Sequence, residues 1–397
     1  MASDFYLSTE QLMAVARRMR RQTRTGLAAD GGEIACIPTF VPVTEIPRKG
    51  RVLVLDLGGT NIRCAQACLE NSRLRLEKGP VRERLTDPSG REMAAAAFYS
   101  RLAGIIAALA PENKLPLGYC FSYPARSTPD GDAVLLGWTK ELFVSDMEGG
   151  KVGEGLCRYL AANKASWQCG RVRVINDTVA ALLAGMAASA SDASIGLIVG
   201  TGTNIAIAVS PDRIPKIDQA WAHGQMLPVN LESGNFNPPH LTRWDGYLDA
   251  QSRNPGEQRF EKAVSGHYLA DLLKLRMPES DIDTSRGAAA VFEKAYEEGA
   301  HCAPERELAR RLIERSARLT AAALAGVISF LAERQSLQTV SITAEGGVFW
   351  GHPAYREAAE SGLRAVLDAM GHDEVRFEFG AVSHANLLGS AIAGLSG

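Results

Sequence analysis

RVLVLDLGGTNIRCAQACLE, Arg51 to Glu70, is the stretch whose reading decides the fold. An apolar run from Val52 to Leu55 ends in Asp56. Gly58 and Gly59 follow, and a partly alternating run begins after Thr60 and Asn61. Run, tight glycine turn and second run predict a β-hairpin whose first strand is buried on both faces. Glycine admits positive φ and close backbone approach. A tip of Asp, two Gly, Thr and Asn therefore offers N–H groups and hydroxyls to a phosphate, and the Asp stands where a cation can be held. The pattern recurs as SIGLIVGTGTNIAIAVS, Ser194 to Ser210. Gly59-Thr60-Asn61-Ile62 aligns with Gly202-Thr203-Asn204-Ile205, whereas Asp56 aligns with Val199. One hairpin used twice predicts a duplicated architecture with a Gly-rich phosphate loop in each domain.

The 397 residues suffice for two domains. With 46% hydrophobic and 22% charged residues and a net charge of −2, the chain reads as globular, without general attraction for nucleic acid or anionic lipid. No apolar stretch reaches membrane-spanning length and no signal peptide is evident, so a cytoplasmic location is expected, with no membrane partner. The seven cysteines form no CxxC pair and are expected to be reduced, mostly buried thiols. The histidines have no ligand spacing, so structural zinc is not expected.

Strands and helices alternate, which makes the class α/β with mixed sheets. Ser8 with Gln11 predicts a capping box for a helix within residues 1–26, with Leu12, Val15, Ala16 and Met19 on its apolar face. Its arginines read as a solvated face. Further helices are predicted over 92–109, 152–163, 179–188, 261–275, 288–298 and 305–334, then after Pro353 and over 386–395. Short strands are predicted over 117–123, 134–138, 172–175, 339–343 and 375–379. Asp177 or Thr178 is the expected cap of the helix after the strand 172–175. Residues 221–258 read as loop.

No GxxxxGK[ST] loop, protein-kinase HRD or DFG, or GxSxG elbow occurs. What remains is two Gly-rich tips, a third glycine pair at Gly346-Gly347, and Asp56 and Asp177 at strand ends, where α/β folds place their sites. Two phosphate loops facing each other across a cleft suit a nucleoside triphosphate with a metal ion. Phosphoryl transfer asks the protein for positioning, charge neutralisation and a proton acceptor.

Several stretches, in order, carry a resemblance. They are IPTFVP (37–42), LDLGGTNIR (55–63), FSYP (121–124), WTK (138–140), VINDTVA (174–180), GLIVGTGTN (196–204), VNLESGNF (229–236), NPGEQRFEK (254–262) and, more loosely, EGG and WGHP within 345–353. Over nearly its whole length the chain resembles a eukaryotic-type hexokinase of the actin-like ATPase superfamily. The resemblance implies a two-domain, ribonuclease H-like fold with an interdomain cleft. The small domain would comprise 46–175 plus 384–397, and the large domain 1–45 plus 176–383. It implies ATP-dependent, Mg2+-assisted phosphorylation of a hexose, glucose first, at the 6-hydroxyl, feeding glycolysis, in a monomer or homodimer. Mannose, fructose or an amino sugar are the other acceptors, and a non-catalytic sugar sensor is the alternative outside enzymes.

Carried over by residue, the resemblance implies a sugar held by Ser122, Tyr123, Thr139 and Lys140 on one side. Asn176, Asp177, Asn204, Glu232 and Glu261 would hold it on the other. Asp177 would be the general base and Lys140 a positive charge near the transferred group. Asp56 would hold Mg2+ through water; Gly58, Gly59, Thr60, Asn61, Arg63 and Thr201 would line the phosphates. Gly346 and Gly347 would lie against the adenosine because side chains there would block it. The chain departs from the family's usual residues at Tyr123 (Phe), Glu141-Leu142 (Gly-Phe) and Ser233-Gly234 (Trp-Gly). It departs again at Ser383-His384-Ala385-Asn386, where the nucleotide segment is usually Gly-rich. The first three bear on which hexose is accepted and the last on how the donor is held.

Overall fold

Two mixed β-sheets built to one plan carry the chain. The computed structural model describes residues 2–43, 46–59, 61–85, 92–139, 142–218, 225–299 and 302–396. In chain order the sheet strands are β1 (Ile37–Pro38), β2 (Lys49–Leu57), β3 (Asn61–Glu70), β4 (Arg73–Arg84), β5 (Leu117–Phe121) and β6 (Val172–Ile175). They continue with β7 (Ala193–Val199), β8 (Thr203–Val209), β9 (Leu227–Asn230), β10 (Thr339–Glu345) and β11 (Arg376–Gly380). The first sheet runs β6-β5-β2-β3-β4 and the second β1-β9-β8-β7-β10-β11. In both, an antiparallel hairpin (β2–β3 or β7–β8) gains an antiparallel strand on its far side and two parallel strands on its near side. The second sheet adds only the two-residue β1. The duplication expected from two similar hairpins is thus a duplication of five strands. β2 is buried from Val52 to Leu57, as its unbroken apolar run requires.

Two helices lie between the sheets, each crossed over to the other one. The helix Asp177–Ala188 follows β6 of the first sheet but packs on β7 and β10 of the second. The helix Ala385–Leu395 follows β11 of the second sheet but packs on β2 and β5 of the first. They meet where a Cβ at Gly389 would lie 2.2 Å from the carbonyl oxygen of Ala180, so only glycine permits the approach. Val179, Leu182, Leu183, Leu387, Leu388 and Ile392 are buried in this seam, each worth roughly 1.5–3 kcal/mol of burial. The crossover brings Asp177 and Asn386, at the starts of these helices, to the same edge of the molecule as both hairpin tips.

The helix Thr9–Ala28 starts at Ser8 with the expected capping box to Gln11. It packs on the long helix Ala303–Leu331. Its basic face is only partly solvated: Arg18 pairs with Glu33, and Arg20 and Arg24 with Glu333. Other expectations need correction. The stretch 221–258 is not all loop, although 219–224 lie outside the described residues. It holds β9, paired on both sides, and the helix Arg243–Gln251, capped by Thr242 and Asp245. Four residues show no readable alternation, and the helix is too polar to show a stripe. The helix expected over 261–275 is two, Arg259–Val264 and Gly266–Arg276. At the break the Gly266 N–H donates to the carbonyl of Gly200 in the second hairpin, at 2.7 Å.

Asn176, not Asp177 or Thr178, caps the helix after β6, its side chain accepting from the Thr178 N–H. Cys157 and Cys169 are not reduced thiols but a disulfide, since the helix Val152–Ala162 and the chain entering β6 bring their Cα atoms to 5.6 Å. Cys36, Cys64, Cys120 and Cys302 are buried free thiols. Among the described residues, no helix is long and apolar enough to cross a membrane.

Candidate active site

The tips of the two hairpins face an open cleft of about 1760 Å³. A pocket for one small ligand typically measures about 300–1,000 Å³, so the cleft has room for two. Asp56, Gly58, Gly59, Asn61, Arg63, Ser122, Tyr123 and Thr139 line it from the first sheet's side. Asn176, Asp177, Thr201, Asn204, Glu232 and Glu261 line it from the other. Thr60 and Lys140 lie outside the described residues. Gly346 and Gly347 do not line the cleft. Gly346 has φ +114°, and a Cβ there would sit 2.2 Å from the carbonyl oxygen of Val199. The close approach to the second hairpin is by itself enough to require glycine there. A Cβ on Gly347 would meet nothing within 4 Å.

On the opposite wall, Asp177 is the first residue of its helix, where the helix dipole favours negative charge. Its Oδ1 accepts from the Thr178 N–H at 2.8 Å. Asn204, expected to face the sugar, is held by the protein. Its Nδ2 donates to Asn230 Oδ1 at 2.7 Å, and its Oδ1 accepts from the N–H groups of Ile205 and Ser233 at 2.8 and 3.1 Å. Asn230 in turn donates through Nδ2 to Glu232 Oε1 at 2.7 Å and accepts from the Glu232 N–H at 3.2 Å. Glu232 is left-handed, at φ +53° and ψ +45°, a conformation costing a side-chain-bearing residue roughly 1–2 kcal/mol. Strained backbone of this kind also occurs at Gln258, which lines the same cleft at φ +50°. Glu261 Oε2 accepts from the Thr203 N–H at 2.9 Å. Three carboxylates beside amides that both donate and accept are suited to a polyhydroxylated ligand, whose hydroxyls do the same.

On the first sheet's side, Asp56 is almost fully buried and paired with Arg63, whose Nε donates to Oδ2 at 2.8 Å and whose Nη2 also donates to Oδ2. Arg63, expected on a phosphate, holds this carboxylate. Asn386 Nδ2 donates to Asp56 Oδ1 at 3.3 Å from across the helix seam. His384, just before it, takes φ +57°, the left-handed conformation that a Gly-rich segment would adopt freely. Glu345, at the end of β10, has its pKa raised by burial, with the charge of Arg63 opposing the rise. Among the described residues no three His, Cys, Asp or Glu side chains converge on one point. A lone buried carboxylate nevertheless suits Mg2+, which usually keeps several waters and takes one or two carboxylates plus substrate phosphates.

Asn230, Asn386 and Glu345 escaped the residue-level reading of the sequence. Asn230 falls inside the VNLESGNF stretch, and Asn386 inside the segment that departs from the family's Gly-rich pattern. Nothing local marked Glu345 except its place before Gly346-Gly347.

Two family models, both described as Hexokinase, match the chain, one over residues 1–187 and the other over 194–295 and 277–396. Hexokinase-1 of Saccharomyces cerevisiae is 29% identical, over 91% of this chain and 84% of its own length. The structure of a hexokinase from Schistosoma mansoni complexed with glucose superposes with a TM-score of 0.83 at 23% identity, covering 99% of this chain and 96% of that one. A ROK family glucokinase from Streptomyces griseus in complex with glucose and AMPPNP gives 0.52 at 18% identity, covering 86% and 98%.

Proposed function

The chain belongs to the hexokinase family, and from that premise we propose that its cleft places the 6-hydroxyl of glucose between Asp177 and the phosphates of ATP. The activity is ATP-dependent phosphorylation of a hexose; glucose, the 6-position and the residue roles are the proposal. One observation carries it. Asp177 shares a single cleft with Glu232 and Glu261 on one wall and with the Asp56 hairpin on the other. The domain division at 46–175 plus 384–397 against the remainder belongs to the same reading. It is supported by the first sheet lying wholly within 46–175 and by the helix Ala385–Leu395 packing on that sheet.

In this reading Glu232 and Glu261 accept hydrogen bonds from sugar hydroxyls, with Asn230 and the Thr203 N–H fixing their carboxylates. A site built to hydrogen-bond hydroxyls rejects analogues that lack them. Asp177 orients the attacking oxygen and takes its proton late, because a loose phosphoryl-transfer transition state demands little nucleophile activation. Bound Mg2+ would neutralise charge on the donor phosphates. Asp56 would hold the ion through water, with Arg63 and Asn386 fixing the carboxylate. Lys140 and Thr201 would contact the phosphoryl group and its neighbours. Closure of the two lobes over the sugar would exclude water, which otherwise competes as acceptor.

An assay coupled to ADP release, run with glucose, mannose, fructose and an amino sugar, tests the proposal. ATP is the donor in that assay; with ADP or polyphosphate in its place the hexose phosphate itself is measured, since neither of those donors yields ADP. Sugar-dependent ADP release from ATP, fastest with glucose, is expected. No release with any hexose would refute catalysis and leave a sugar-binding protein; a faster rate with another sugar would refute glucose.

A further inference from the structure

Tyr123 stands in the FSYP stretch beside the sugar-side residue Ser122, yet its hydroxyl does not serve that wall. It donates to the carbonyl oxygens of both Gly58 and Gly59, each at 3.1 Å, at the tip of the first hairpin. The hydroxyl has one proton, so the two contacts form one bifurcated bond that fixes two consecutive peptide planes. The ring is locked as well, packed against Phe121 and Trp138 with centroids 5.3 and 5.0 Å away. Burial raises the pKa of the phenol and keeps it a donor. A trans peptide points its N–H opposite to its C=O. Holding the Gly58 carbonyl on the Tyr123 hydroxyl therefore turns the Gly59 N–H to the side away from that hydroxyl. The Gly58 N–H is fixed too, donating to the Asn61 carbonyl at 3.0 Å. Glycine peptides otherwise rotate freely, and a phosphate cradle depends on aligned N–H groups.

We propose that Tyr123 is a positioning residue for the phosphate donor, its hydroxyl holding the Gly58-Gly59 tip in a phosphate-binding conformation. The hydroxyl is not a contact to the sugar. The inference rests on the reading of the cleft as a hexokinase site and adds a role on its donor side. It also reassigns a residue that the sequence placed on the acceptor.

The test is Tyr123→Phe, which keeps the ring packing and removes only the shared proton. Binding of AMPPNP and of glucose is measured separately by titration calorimetry, without turnover, alongside kcat and both KM values. The expected result is AMPPNP affinity weakened about tenfold, the worth of roughly one net hydrogen bond. The KM for ATP should rise in parallel, and the glucose Kd should stay within about twofold. Unchanged AMPPNP affinity would overturn the proposal. So would a glucose Kd that shifts as far as the nucleotide's, which would return the hydroxyl to the sugar. A purely structural role would lower the melting temperature without separating the two ligands. Wild-type protein that binds neither ligand would instead refute the proposed function.

Discussion

Asn230→Asp changes one atom's chemistry at the centre of the Asn204–Asn230–Glu232 network. The orientation of the amide is fixed by its neighbours: Oδ1 accepts from Asn204 and from the Glu232 N–H, leaving Nδ2 on Glu232 Oε1 at 2.7 Å. The substitution preserves the acceptor and replaces the donor by a second carboxylate oxygen facing Glu232. Two unit charges about 4 Å apart repel by about 4 kcal/mol at an effective dielectric of about 20. The pair has two ways out. Glu232 swings off its network, or the pair takes up a proton, the repulsion being equivalent to about 3 pKa units. At pH 8 the first route dominates and Glu232 loses its hold on a sugar hydroxyl. A charge-assisted hydrogen bond is worth roughly 1.5–3 kcal/mol, so glucose affinity should fall by about 10- to 100-fold. As pH drops towards 6, a shared proton restores the geometry and affinity recovers by about tenfold, whereas the unsubstituted protein shows no such recovery. Titration calorimetry with glucose at pH 6 and pH 8 reads both effects, and circular dichroism verifies folding. Affinity within threefold of the unsubstituted protein at pH 8, or an equally weak value at both pH values, would refute the role given to this network.

Gly202→Ala would place a Cβ 2.6 Å from Glu261 Oε2, pushing the carboxylate off the Thr203 N–H. Glucose Kd should rise by about tenfold; a titration showing less than a twofold change would separate Glu261 from the sugar. Beneath the cleft, the buried Lys262 ammonium donates to Asp249 Oδ1 at 2.8 Å and to the Asn254 carbonyl at 2.7 Å. Asp249→Asn leaves that charge without its carboxylate and should cost about 3–5 kcal/mol at pH 7 in urea unfolding. Burial alone would raise the pKa of Asp249, but Lys262, the Gly256 N–H and Arg259 lower it overall. A depressed carboxylate contributes stability that is present above its unfolded value of ~3.9 and lost as pH falls through the folded one. The gap between protein and variant should therefore shrink below about pH 4, and a gap that stays constant down to pH 2 would contradict the pairing.

Much of the fold was legible because its signals were local. An unbroken apolar run with a glycine tip gave β2–β3, the same run repeated gave β7–β8, and Ser8 with Gln11 marked the first long helix. What stayed hidden depended on partners distant in sequence. β9 is a strand because β1 and β8 flank it, and Cys157 finds Cys169 only once the chain entering β6 packs near its helix. The same division runs through the site. Asp56, Asp177, Glu232 and Glu261 stood at strand ends or in specific motifs and do line one cleft. Their second partners did not stand out, because Asn386 reaches Asp56 across 330 positions. At Gly346 there is no room for a side chain, and the nearest obstacle, the Val199 carbonyl, belongs to β7, a strand far earlier in the chain.

The central claim is that Asp177 handles the acceptor hydroxyl of a sugar held by other residues. Asp177→Ala separates the two roles most directly, with turnover followed by ADP release and glucose binding measured on the same preparation. In that variant kcat should fall by on the order of 10²-fold or more, with glucose still bound. Near-normal turnover would contradict the claim.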